Sequence, residues 1–364
     1  MAGSPRHFLR TLIKKSLLPL ALGGFGIGMT EFVIMGILPD IAGGLQISIP
    51  QAGYLITAYA LGVVVGAPTL VSLLAHRPPR SVLMWFMAMF TLFNAMSAFA
   101  PNFEVMMLSR FMAGLPHGAF FGVGAVVASR LADEGKVAAI GLVTVLALRR
   151  LVPNIAPNAR TSLRHDLRIF RKPALLLALL ITSIGTGGFF AFFSYIAPLL
   201  TEVTHFAPAT IPMVMTVVGV GMTVGVNLGG RLADRVLPLQ AILILLATMT
   251  TLLLCNGLFA ASQPAMLLLA FATGANALAL GPPIQMLLIE HSREAEMLGS
   301  SLGQSGFNIG NATGAFLGGI PLTLGYSYAS PQWVAAGLAL AGVALTLAML
   351  AQGRAQAGRA ATCN

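Results

Sequence analysis

The sequence predicts an all-α polytopic membrane protein, and three observations carry that assignment. Of 364 residues, 57% are hydrophobic and 9% are charged, whereas soluble domains carry about a quarter charged residues. Apolar runs of roughly 20 residues recur along the chain, each long enough to cross a ~30 Å hydrocarbon core as a helix. The alternating ~10-residue segments that build a transmembrane barrel are absent.

Ten clear spans fall near Leu17–Pro39, Ala52–Ala75, Val82–Ala100, Phe103–Ala128, Pro173–Leu200, Ile211–Gly230, Leu239–Ala260, Ala265–Ile289, Leu298–Leu324 and Trp333–Ala351. A shorter apolar segment, Val137–Leu148, brings the expected total to eleven helices. Arg6, Arg10, Lys14 and Lys15 precede the first run. That run is too long for the core of a cleaved signal peptide, so it is taken as the first span.

The basic residues set the sidedness. The N-terminal tail, the loops with Arg77 and Arg80, with Arg130 and Lys136, with Arg231 and Arg235, and with Arg293, and the C-terminal tail with Arg354 and Arg359 alternate with loops that hold no Lys or Arg. Of the 21 Lys and Arg residues, all but Arg110 fall on one side. The positive-inside rule then puts both termini in the cytoplasm. The net charge of +10 is therefore a topology signal, and no nucleic-acid partner is expected. Cys255 and Cys363 show no spacing that suggests a disulfide framework or metal site. No cofactor is expected.

The polar, basic stretch Arg149–Lys172 ("RRLVPNIAPNARTSLRHDLRIFRK") divides the chain. Residues 1–148 form an incomplete N-terminal bundle of about five helices. Residues 149–172 are a cytoplasmic linker, 173–352 a six-helix C-terminal bundle and 353–364 a cytoplasmic tail. The segment 137–148 has basic flanks on both sides, which a single crossing cannot satisfy.

An internal repeat links the two bundles. "SLLAHR" (Ser72–Arg77) and "GRLADR" (Gly230–Arg235) end the second span of each half, 158 positions apart and on the same predicted side. Parallel or inverted repeats are a common construction of secondary transporters. Asp234 at a helix end beside Arg235 could lock one conformation by pairing with a neighbouring bundle, or could be a plain helix stop. His76 replaces the acid in the first copy.

These pieces resemble the major facilitator superfamily, in its drug:proton antiporter and arabinose-efflux-like branch. The similar stretches are "GMTEFVIMGILPDIA" in the first span, the loop pair "SLLAHRPPR" and "GRLADR", "LSRFMAGLPHGAFFGVGAVVASRLA" with its R-x-x-x-G at Arg110 and Gly114, and "GNATGAFLGG" at Gly310–Gly319. The resemblance implies a two-bundle, alternating-access transporter in a bacterial-type inner membrane. It also implies twelve spans. The fifth, with its Gly-Pro antiporter motif, is missing, and Val137–Val152 resembles the sixth.

The charges inside the spans are the candidate coupling groups. Glu31 lies about 12 Å in from the outer boundary and Arg110 about 10 Å, at 1.5 Å per residue. The resemblance makes their helices neighbours, so the two could pair. A lone charge at that depth is costly and usually faces a cavity or a partner. Glu31 could carry a coupling proton or be a fixed salt bridge. His117, two turns after Arg110, could relay protons or bond a neighbouring helix. Tyr59, Asn94, Asn227, Asn276, Gln285 and Asn308 are candidate substrate-lining groups, or interhelical hydrogen bonds. His76, Arg77, Arg80, Gly230, Asp234 and Arg235 are the candidate latch. Gly62 and Gly66, Gly114 and Gly118, and Gly310, Gly314 and Gly318 give the four-residue spacing of close helix packing.

The expected function is secondary active, proton-coupled efflux of a small molecule, sugar or drug-like, by a monomer in the lipid bilayer. No hydrolase, metalloprotease or nucleotide-binding motif occurs, so no enzyme activity is expected. The missing helix leaves open a non-transporting relative that acts as a membrane sensor or interaction protein.

Overall fold

The computed structural model describes residues 5–74, 77–131, 172–292 and 296–362, and the regular elements among them are helical. The segment 137–148, His76 and nearly all of the linker lie outside the described residues. Each of the ten clear spans is a helix or a broken helix. The first is α1 (Pro5–Gly36) with α2 (Leu38–Leu45), followed by α3 (Ile49–Leu74), α4 (Pro79–Ala98) and α5 (Phe103–Leu131). After the linker come α6 (Pro173–Ser194) with α7 (Ile196–Glu202), α8 (Ile211–Ala233) and α9 (Pro238–Leu258). Then follow α10 (Gln263–Ala279) with α11 (Gly281–His291), α12 (Glu296–Thr323) and α13 (Pro331–Thr362).

Among the described residues, seven helical stretches are long and apolar enough to cross a membrane, and the bent α1–α2 pair makes an eighth. α5 and α12, with 29 and 28 residues, each reach about 40 Å at the helical rise.

Three spans expected to be continuous are broken, and proline explains each break. A proline has no N–H to donate and its ring crowds the carbonyl one turn earlier. Pro39 is the second residue of α2, and the chain bends by 70° at Ile37. Pro198 sits in the first turn of α7, and Tyr195 before it leaves helical geometry at φ −116°, ψ 21°. Pro282 and Pro283 open α11. Ile37 and Tyr195 are 158 positions apart, the offset of the loop pair.

The chain divides by contact into two units. The first draws its described residues from Met1–Ile34, Ala58–Leu167 and Ala295–Ser305. The second draws on Met35–Thr57, Arg168–Glu294 and Gly306–Asn364. In the first unit, α3 and α5 touch backbone to backbone: a Cβ on Gly62 would strike the Phe111 carbonyl, and one on Gly66 the Leu115 carbonyl. Val63, Phe86, Phe90 and Phe120 fill the core beside this crossing.

The second unit repeats that crossing. On α8, Gly221 and Gly225 lie against the Phe271 and Ala275 carbonyls of α10, and Gly229 against that of Ala279. Gly221 and Gly225 follow Gly62 and Gly66 by 159 positions. α6 is held on one side by Gly310 and Gly314 of α12 and on another by Gly342 of α13. The short helices α2 and α7 pack on each other. The Thr204 hydroxyl, just past α7, donates to the Ala260 carbonyl at 2.7 Å and anchors that end.

The glycine crossings give a direct test. Gly225→Ala puts a methyl group into the Ala275 carbonyl and is expected to destabilise by about 1–3 kcal/mol, as overpacking does. Gly219→Ala, on the same helix with open space at its Cβ, is expected to be neutral. Thermal unfolding of both variants in detergent checks the contrast.

Candidate functional site

Five of the candidate residues come together in the first unit, from four helices. Glu31 on α1, Tyr59 on α3, and Arg110 and His117 on α5 are all buried, with Asn94 of α4 half-buried beside them. The close crossing of α3 and α5 sets the geometry. Gly114, one turn after Arg110, lies against the Tyr59 carbonyl. That contact brings the Tyr59 ring under the guanidinium, whose Cζ lies 4.2 Å from the ring centroid. A desolvated cation over an aromatic face contributes about 2 kcal/mol.

The Tyr59 hydroxyl is 2.9 Å from Nδ1 of His117. The imidazole lies between Tyr59 and the Phe121 ring, with centroids 5.6 Å and 5.3 Å away. Asn94 completes the set. Its amide donates to the Phe90 carbonyl at 2.8 Å, which turns its Oδ1 toward Arg110. Nη1 of Arg110 donates to that oxygen at 3.5 Å, a long bond. Nε and Nη2 are buried and donate to no described residue. Glu31 acts electrostatically on both Tyr59 and Arg110. The guanidinium is thus held by a ring, one weak hydrogen bond and a field, with donors in reserve.

The remaining candidates separate. Asn276 is a structural tie, donating from α10 to the Leu245 carbonyl of α9 at 2.9 Å. Asn227 is exposed on α8 and donates back to the Thr223 carbonyl. Gln285 is half-buried on α11 and Asn308 is buried on α12. Arg77 is exposed and Arg80 half-buried in the first turn of α4. Asp234 and Arg235 are exposed just past α8, where the Asp234 N–H donates to the Gly230 carbonyl at 3.0 Å. Gly118 packs on Val63 and Ala67 of α3, and Gly318 on Ala191.

A sequence profile of the Major Facilitator Superfamily matches residues 20–148 and 175–361. The chain belongs to that superfamily. It is accordingly a transmembrane transporter and not an enzyme. It is 37% identical to the inner membrane transport protein YdhP of Escherichia coli (strain K12), over 93% of this chain and 96% of YdhP. AraJ of the same strain is 35% identical, over 96% of this chain and 98% of AraJ, which supports the arabinose-efflux-like branch. The fold is shared with the crystal structure of a mutant of the nucleoside transporter NupG, at a TM-score of 0.67 and 12% identity. That match covers 94% of this chain and 99% of the NupG chain. The YdhP comparison runs over 380 residues, so roughly 40 of its positions face a gap in this 364-residue transporter.

Phe121, whose ring lies beside His117, carries no signal in the sequence that sets it apart from the other apolar residues of its span. Tyr59 stood among the substrate-lining candidates; its pairing with Arg110 and His117 spans more than 50 positions and leaves no local pattern. Gly221, Gly225 and Gly229 carry the same four-residue signal as Gly62 and Gly66 and were legible. Tyr59→Phe removes the His117 bond and keeps the ring, and is expected to cost about 1 kcal/mol. Tyr59→Leu also removes the platform and is expected to cost about 1–2 kcal/mol more. Thermal unfolding of the purified transporter measures both.

Proposed function

We propose that this transporter is a proton-coupled exporter of a small molecule, in which Glu31 carries the coupling proton and Arg110 responds to it. The observation that supports this most is the state of Arg110: deep in a helix bundle, stacked on Tyr59, with two nitrogens that donate to no described residue and Glu31 in electrostatic range. Protonating Glu31 removes its pull on the guanidinium. Arg110 can then redirect its spare donors to Asn94 or to substrate, and α1 and α5 shift with it. His117, bonded to the Tyr59 hydroxyl, holds the ring that carries Arg110 and so stands beside that switch.

The inner membrane is the proposed location, with both termini cytoplasmic, bundles at 1–148 and 173–352, and a monomer as the working unit. Arg77, Arg80, Asp234 and Arg235 then lie on the cytoplasmic face, where their exposure suits a latch between conformations. Sugars and drug-like molecules are the substrate classes that the branch suggests.

One observation favours a second reading. Roughly 40 positions of YdhP have no counterpart here, in keeping with the loss of the fifth helix. Such a chain could bind its ligand without moving it, as a membrane sensor.

Proteoliposomes with an imposed pH gradient separate the two. The exporter is expected to move labelled arabinose or ethidium in response to the gradient. Glu31→Gln is expected to insert normally and to lose gradient-driven movement, and Arg110→Lys to lose most of it. A wild-type protein that binds either probe and never moves it supports the sensor reading; a Glu31→Gln variant with full gradient-driven export removes Glu31 from the mechanism. Sidedness is tested by cysteines at two exposed positions. In right-side-out vesicles, Glu202→Cys is expected to react with an impermeant maleimide and Arg77→Cys to be protected.

A further inference from the structure

Tyr195 occupies the break between α6 and α7 and is 1% exposed. Its hydroxyl donates to the Ala315 carbonyl of α12 at 2.7 Å. Two glycines on different helices make room for it. A Cβ on Gly53 of α3, or on Gly319 of α12, would meet the phenol oxygen first. The neighbouring residues reinforce this grip, with the Tyr54 ring 6.1 Å from that of Phe316. Tyr195 therefore joins the first turns of α3 to the last turns of α12, with its oxygen in a socket that admits no side chain.

A cavity of about 690 Å³ adjoins the socket, lined by Ala42 of α2, Ser48, Pro50 of α3, Leu322 and Thr323 of α12, and Tyr328. Pro50 also flanks Gly319 in the socket, 3.9 Å from the position of its Cβ. The cavity and the socket thus share a wall at Pro50, with the Tyr195 hydroxyl on the socket side of it. The cavity is on the side of the membrane that carries the loops without Lys or Arg.

We propose that Tyr195 is the gate residue of the outer vestibule: seated between Gly53 and Gly319 it closes the vestibule floor, and transport requires the hydroxyl to leave that socket. This assignment rests on the chain being a transporter, and it adds a residue with a defined step in the cycle. The chemistry suits a gate. One hydrogen bond ties the hydroxyl into the closed arrangement, and no charge has to be stripped of water for it to open. A lost hydrogen bond of ordinary net strength changes an equilibrium about five-fold, which is enough to bias a gate without locking it.

Cysteine accessibility tests the gate without requiring transport. Thr57 lies one turn beyond Gly53 on the same face of α3 and is half-buried. Thr57→Cys is built in a Cys255→Ser, Cys363→Ser background and exposed to an impermeant maleimide in right-side-out vesicles. The parent is expected to label slowly, and Tyr195→Phe about five-fold faster. Gly53→Ala, whose methyl displaces the phenol oxygen, is expected to label faster too. Because Tyr195→Phe removes the atom that the methyl strikes, the double variant is expected to label no faster than the faster single variant.

Three results overturn the assignment: a parent that labels as fast as Glu202→Cys, single variants that label at the parent rate, or single effects that multiply in the double variant. Tyr195→Phe keeps the ring and decides the matter alone if Gly53→Ala fails to insert. A failure of proton coupling leaves these labelling rates unchanged. An error in sidedness is reported separately by Glu202→Cys.

Discussion

Arg110 rests on the ring of Tyr59, and that stack exists because α3 and α5 touch through their backbones. In a bilayer, hydrophobic burial gives two helices little reason to associate, so contact depends on van der Waals fit and on polar groups that need partners. Gly62, Gly66 and Gly114 remove the side chains that would hold the helices apart. A guanidinium can then be kept away from lipid by an aromatic face, an amide oxygen and the field of a carboxylate. If the helices moved apart by a methyl group, the cation would lose its platform.

The same construction recurs in the second unit, where no buried charge accompanies it among the described residues. α8 and α10 meet through Gly221, Gly225 and Gly229 against three carbonyls, at nearly the offset that separates the two loop motifs. The span break at Ile37 recurs at Tyr195 with that offset as well. Three unrelated kinds of feature, a loop, a glycine row and a proline-driven break, therefore repeat at offsets of 158 or 159 positions. Function has diverged over this common frame. Glu31, Arg110 and His117 stand in the first copy, while the second copy uses its buried polar groups to tie helices together, as with Asn276 on the Leu245 carbonyl.

The spans were legible in the sequence because hydropathy acts locally: a run of apolar residues must be buried or cross lipid wherever it lies. Glu31 and Arg110 were legible for the same reason, since a charge inside such a run is costly anywhere. Their surroundings were not. Tyr59 and His117 are 58 positions apart, and no local pattern reports a bond of that span. The breaks at Ile37, Tyr195 and Leu280 were passed over because Pro39, Pro198 and the Pro282–Pro283 pair sit in runs that remain apolar, and hydropathy is blind to a missing N–H. Asn276 had the polarity of a substrate contact; whether an amide in a span meets a ligand or a neighbouring carbonyl depends on packing that one chain does not spell out.

The contact between α2 and α7 has a meaning of its own. These are the corresponding short helices of the two repeats, each following its own span break, and they pack on each other. A single residue, Ile37 or Tyr195, separates each short helix from its long one, so a change of volume at this contact bears on both breaks at once.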